Sequence, residues 1–199
     1  MKQDQLNELL YQALETEMGG QLVYKAAIEN AATTELKEEW QKYLEETETH
    51  ERVLREVFQE LGLDAETQSP GRMVVRHKAD ALVKAMEMAR DGGPTAAELV
   101  AAECVVEAET KDHQNWQLLS RAADAMNGKQ AKVIRQAVEQ VEDEEDEHLY
   151  HTMGWARELW VKSLGMPAVI PPPEEQRDVR TQIGAGRAAN AREQMLPRR

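Results

Sequence analysis

Residues 142–151 read EDEEDEHLYH, and the fold turns on how this stretch is read. An unbroken acidic run, Glu142 to Glu147, is most often a solvated face. Its flanks argue otherwise. The positions 134–138–141–145–148–152–155–159 step by three and four and carry Ile134, Val138, Val141, Thr152, Trp155 and Leu159. This is the buried stripe of an amphipathic helix, and Glu145 and His148 fall on it, one turn apart. Ionisable groups on a core stripe are costly unless they are paired or hold a metal. A carboxylate and an imidazole at this spacing can hold a metal ion.

Working outward, the same test applies to the other long helical patterns. Residues 3 to 31 predict a first helix with the stripe Leu6, Leu10, Ala13, Glu17, Gly20, Tyr24, Ala27 and Ala31, so Glu17 and Tyr24 share its inner face. Gly19-Gly20 leaves room beside Glu17, either for a ligand or for a tight helix crossing. Residues 35 to 61 predict a second helix, ending at Gly62, with the stripe Leu36, Trp40, Tyr43, Thr47, His50, Leu54, Val57 and Leu61. His50 is on that stripe, but Thr47, three residues earlier, is no carboxylate. Glu46 and Glu51 flank the stripe and are reserve ligands.

GLDAETQSPG, 62–71, is a loop, followed by a shorter helix over 72–90 and a stop at Asp91-Gly92-Gly93-Pro94. This insert is long enough to carry the chain from one end of a helical bundle to the other. Thr95 with Glu98 forms a capping box and opens a helix running to about 126. Its apolar residues cover more than one face. The polar line chosen along it is Leu99, Glu103, Val106 or Glu107, Thr110, His113 and Gln117. Glu107 is the first choice of metal carboxylate, with Glu103 and His113 in reserve. After the Asn127-Gly128 turn, a last helix covers 129–164. Counting from the turns, Glu17, His50 and the Glu145–His148 pair lie at matching depth, and their level partner on the preceding helix falls near 109 or 110.

Ile170-Pro171-Pro172-Pro173 predicts a stiff extended linker, and the segment 174–199, with six arginines, predicts a mobile polar tail or an arm on a neighbouring subunit. The expected division is therefore a helical domain over 1–165 and a linker plus tail over 166–199.

Composition narrows the function classes. The chain has 199 residues, 41% hydrophobic but only 5% aromatic, which favours helices over strands. A net charge of −13 repels nucleic acid and attracts cations. One cysteine, Cys104, excludes an intrachain disulfide and a multi-cysteine metal knuckle. No apolar run is long enough to span a bilayer and MKQDQLNELL lacks a signal-peptide core, so a cytoplasmic location is expected.

The first helix, with LNELL, Glu17 and Tyr24, resembles that of bacterioferritin. LEETETHERVLREVFQELG, 44–62, and LVAAECVVEAE, 99–109, are similar to the YciE/YciF-like bacterial stress proteins of the ferritin-like superfamily. The resemblance covers about residues 3–165. It implies an all-α, ferritin-like four-helix bundle whose long crossover between the second and third main helices contains an extra helix. It also implies a di-iron or di-manganese site, and commonly a homodimer or larger homo-oligomer. Glu17, His50, Glu107, Glu145 and His148 match its ligand positions, while Thr47 stands where a bridging carboxylate is expected. The implied activity is oxidation of Fe(II), or consumption of O₂ or peroxide, in a stress response, with Tyr24 as a candidate redox or hydrogen-bonding group. A di-manganese catalase-like enzyme is a variant of this reading. A metal-free helical partner-binding protein with a degenerate site is the alternative that Thr47 favours.

Overall fold

The computed structural model describes residues 2–196. The described chain is all-helical: α1 Gln3–Asn30, α2 Thr34–Leu61, α3 Pro70–Ala89, α4 Pro94–Asp124, α5 Lys129–Ser163, α6 Pro173–Gln176 and α7 Gln182–Met195, with a 3₁₀ turn at Arg90–Gly92. Among the described residues no helix is long and apolar enough to cross a membrane.

Four long helices form a closed ring of neighbours. α1 packs on α2 and α4, and α5 packs on α2 and α4. α2 descends beside α1 and stops at Gly62, whose left-handed backbone (φ 67°) lets the Gly62 N–H return to the Gln59 and Phe58 carbonyls. Ser69 then caps α3, accepting from the Arg72 N–H, with Pro70 at the first helical position.

α3 climbs the outside of α1. Arg72 donates to Glu15 at its start, and Arg90, just past its end, donates to Asn30. The chain has thus been returned to the end where α1 finishes, and α4 descends from there. As a result α2 and α4 run in the same direction, and every neighbouring pair of the four is antiparallel. Gly19 belongs to the α1–α3 crossing: a Cβ there would lie 2.7 Å from Ala79 Cβ. Of the two readings of the glycine pair, close helix packing holds for Gly19.

Two expected details differ. Thr95 does not cap α4; Gly93 holds the cap position and Pro94 opens the helix. Glu98 reaches instead to the Ala32 and Thr33 N–H groups, holding the α1–α2 turn against α4. The segment after Met166 is not a free tail through residue 196. α6 and α7 fold back on α5, fixed by Glu158, which is fully buried and accepts from Arg157, Arg192 and the Val169 N–H. Residues 197–199 of the expected tail lie outside the described residues.

Two apolar clusters fill the interior. One gathers Leu6, Leu10, Leu54, Phe58, Leu119, Ile134 and Val138. The other gathers Val23, Leu36, Trp40, Ala101, Val105, Trp155 and Leu159. Burial of each full-sized side chain is worth about 1.5–3 kcal/mol. The layer between the two clusters is polar.

Candidate metal centre

The polar layer is supplied by all four long helices. α1 contributes Glu17, α2 His50, α4 Glu109 and Asp112, and α5 Glu145 and His148; all six are buried. Their depth follows from helix pairing: each stripe that plugs the apolar clusters above and below carries its polar residues at the middle.

The two imidazoles are nearly parallel, with ring centroids 5.6 Å apart. His50 Nε2 lies 2.7 Å from Glu144 Oε2 on α5, and His148 Nε2 lies 2.9 Å from Glu46 Oε2 on α2. With Nε2 of each ring turned to its carboxylate, each Nδ1 faces the interior. A carboxylate holding the outer nitrogen is the usual way a metal-binding histidine is oriented. Glu145 Oε1 sits between the two, 2.8 Å from His50 Nδ1 and 3.9 Å from His148 Nδ1.

Glu17 Oε2 is 3.8 Å from His50 Nδ1, and Glu109 Oε2 is 3.7 Å from His148 Nδ1. Asp112 joins Glu17 and Glu145, with one ligand oxygen of each within 4.8 Å of the others. Trp116 Nε1 donates to Glu17 Oε1 at 2.9 Å, leaving Oε2 free.

Hydrogen bonding within the protein leaves this layer unfinished. Glu17 Oε2, His50 Nδ1, Glu109 Oε2, Asp112 Oδ1, Glu145 Oε2 and His148 Nδ1 are all buried without a hydrogen-bond partner. The close His50–Glu145 approach is off hydrogen-bond geometry. Buried polar atoms are normally paired, and these six converge on one interior layer.

The electrostatics agree. Burial, then the charges of Asp112 and Glu145, push Glu17 well above the usual carboxylate range. Asp112 is raised by burial, then by Glu145 and Glu109. Glu145 is pushed up to about 8, chiefly by burial and then by Glu109. For His148 burial acts downward, but its contacts with Glu109 and Glu46 outweigh that and carry it up to about 10. His50 is lowered by burial and by His148. Four carboxylates and two imidazoles thus share one buried layer, a donor set of the kind that could hold a multivalent cation.

Tyr24 is fully buried, its ring edge-on to His148 at 6.1 Å between centroids. Burial, and then the charge of Glu109, raise its phenol well above the ordinary value. It lies at the edge of the cluster, where it can hold a proton beside Glu109.

The structure brings together Glu17, His50, Glu145 and His148 from the expected ligand set. Glu107 does not join them: it is exposed, on the outer side of α4 toward α1 and α3. Its place is taken by Glu109, two residues on and so about 200° around the helix. Among the reserves, Glu46 orients His148. Glu51 accepts from Gln21 and Arg55, Glu103 accepts from Trp160, and His113 pairs with Asp146 at 3.0 Å outside the cluster. Thr47 donates back to the Tyr43 carbonyl within α2. Asp112 lies outside the expected ligand set and joins Glu17 and Glu145. It restores the number of buried carboxylates that Thr47 lowers. Glu109, Asp112 and Trp116 lie on the stripe 102–105–109–112–116–119–123, every member of which is buried, and that periodicity is the signal that finds them.

No family model, curated protein or solved structure matches this chain.

Proposed function

We propose that this chain is a ferritin-like four-helix-bundle protein with a di-metal carboxylate centre, binding iron or manganese. The observation that carries the reading is the pair of inward Nδ1 atoms, each fixed by a carboxylate on the opposite helix and facing unpartnered carboxylate oxygens. The direction of α2 and α4, set by the long α3 crossover, supports the bundle type.

The donor set fits the metals. Carboxylates with imidazole suit Fe²⁺ and Mn²⁺, and the absence of thiolate argues against softer ions. Glu17, Glu109, Asp112, Glu145, His50 and His148 would hold them. Glu145 lies between the two imidazoles and would be a ligand within reach of both. Bound iron supplies one-electron chemistry toward O₂ or peroxide, so the activity is oxidation of Fe(II) with consumption of either oxidant.

The residues around the centre have separable tasks. Glu46 and Glu144 keep the imidazoles turned inward. Trp116 holds one oxygen of Glu17 and leaves the other to bind. Tyr24 keeps a proton at its hydroxyl beside Glu109. The two apolar clusters exclude bulk water from above and below.

Anaerobic Fe²⁺ titration followed by air tests this. The wild type should take up Fe²⁺ and develop near-ultraviolet absorbance on oxidation, and Glu145→Ala/His148→Ala should lose both. Absence of uptake of both Fe²⁺ and Mn²⁺ by the wild type would remove the redox reading.

A further inference from the structure

A second cluster lies one to two turns further along the same α2–α5 seam. Glu39, Glu147 and His151 each offer a ligand atom, all within 4.8 Å of one another. His151 Nδ1 is 3.1 Å from both Glu39 Oε1 and the Tyr43 hydroxyl. His151 is 3% exposed, and its Nε2 is buried without any hydrogen-bond partner. Glu39 keeps partial exposure, so the cluster opens outward where the first does not.

The surroundings are short of positive charge. Lys42 contacts Glu147 and Arg180 lies 3.3 Å from it, against the carboxylates of Glu39, Glu46, Glu147 and Glu175. Lys42 and Arg180 are each about half exposed on flexible stems, so either can swing into solvent when another cation arrives.

This cluster is joined to the inner one. The Tyr43 ring lies 4.2 Å from the His148 ring, centroid to centroid, and its hydroxyl donates to Glu39. Lys42 spans Glu147 of the outer group and Glu46, the residue that orients His148. The two clusters are thus adjacent along the α2–α5 seam, linked through Lys42 and Tyr43.

We infer that Glu39, Glu147 and His151 form a separate divalent-cation site, the outer station through which ions reach the buried centre. The station role rests on the inner cluster being a metal centre, whereas binding at the outer site does not. The occupant is a hydrated divalent cation of the size and hardness of Fe²⁺, Mn²⁺ or Co²⁺, which carboxylate and imidazole together accept.

Co²⁺ titration of the full chain without oxygen, read by visible absorption and equilibrium dialysis, tests it. His151→Gln and the less buried Glu39→Gln should each bind one ion fewer per chain than wild type. Both should slow Fe²⁺ oxidation about tenfold at limiting Fe²⁺, while reaching the wild-type end-point absorbance. Glu145→Ala/His148→Ala should still bind the outer ion, and adding His151→Gln to it should abolish that binding. Wild-type stoichiometry and affinity in both His151→Gln and Glu39→Gln would overturn the site. Loss of the ion in these variants with unchanged oxidation rate would overturn the station role. If Co²⁺ binding is insensitive to Glu145→Ala/His148→Ala but lost in His151→Gln, the outer site stands and the inner metal reading fails.

Discussion

His50 and His148 are held by a reciprocal exchange. His50 of α2 is bonded by Glu144 of α5, and His148 of α5 by Glu46 of α2, each carboxylate lying four residues before the other histidine. The same crossing recurs on the other two helices, where Trp116 of α4 donates to Glu17 of α1 and Tyr24 of α1 sits beside Glu109 of α4. The centre thus has an approximate twofold arrangement, with Thr47 opposite Glu145 and Gly20 opposite Asp112 as its breaks.

Glu46→Ala and Glu144→Gln should leave the ligands present but free to turn. Each is expected to weaken Mn²⁺ or Fe²⁺ binding by about 10–100-fold, the usual cost of losing an outer partner of a metal ligand. Calorimetric titration measures it, and affinities equal to wild type would show that the histidines need no such partner.

Asp112→Asn separates binding from stability. Burial and neighbouring carboxylates already disfavour the Asp112 anion, so removing its charge should raise the melting temperature of metal-free protein. It should also weaken metal binding by at least about tenfold. Glu107→Gln, on the exposed side, should change neither. Thermal melts with and without Mn²⁺ show both effects. A strong metal defect in Glu107→Gln would contradict the assignment of Glu109 and Asp112.

Metal loading should stabilise the fold. At free ion near 100 times Kd the gain is about 2.7 kcal/mol, which for a chain of this size is a rise of roughly 5–10 °C in Tm. A chelator should reverse it. An unchanged melt at saturating Mn²⁺ and Fe²⁺ would mean that no ion prefers the folded state.

The α7 anchor gives a pH prediction away from the centre. Burial acts to raise Glu158, but Arg192, the Val169 N–H and Arg157 outweigh it and hold its carboxyl below the usual range. A lowered folded value contributes stability above the unfolded pKa, near 4.3 for glutamate, that is lost as pH falls through the folded value. Docking of α6 and α7 should therefore be complete at neutral pH and weaken below about pH 4. Arg192→Ala should expose the segment after Met166 to limited proteolysis at neutral pH. Equal protease resistance in wild type and Arg192→Ala would show that the ion pair does not hold α7.

Much of this was legible in the sequence, and the misses have physical causes. Glu17, His50, Glu145 and His148 stood out because α1, α2 and α5 each bury one stripe, and an ionisable residue on it is conspicuous. α4 is packed on α1, α3 and α5, so its apolar residues cover more than one face and mask the fully buried line 102–105–109–112–116–119–123, while the line through Glu107 faces outward. Depth matching pointed to 109 or 110, and Glu109 fits it. The folded tail was hidden because its anchor, Glu158, lies on α5 and reads as an ordinary surface acid until Arg157 and Arg192 are seen on it. The exchange between Glu46 and Glu144 is a pairing across helices, which no periodicity within one helix reports.

The most direct measurement is anomalous scattering from crystals of Mn²⁺-loaded protein. The account predicts peaks bonded to His50 Nδ1 and His148 Nδ1, flanking Glu145, with Glu17, Glu109 and Asp112 completing the coordination. Ions found only on surface carboxylates, with both Nδ1 atoms left bare at saturating Mn²⁺ and likewise at saturating Fe²⁺, would contradict it.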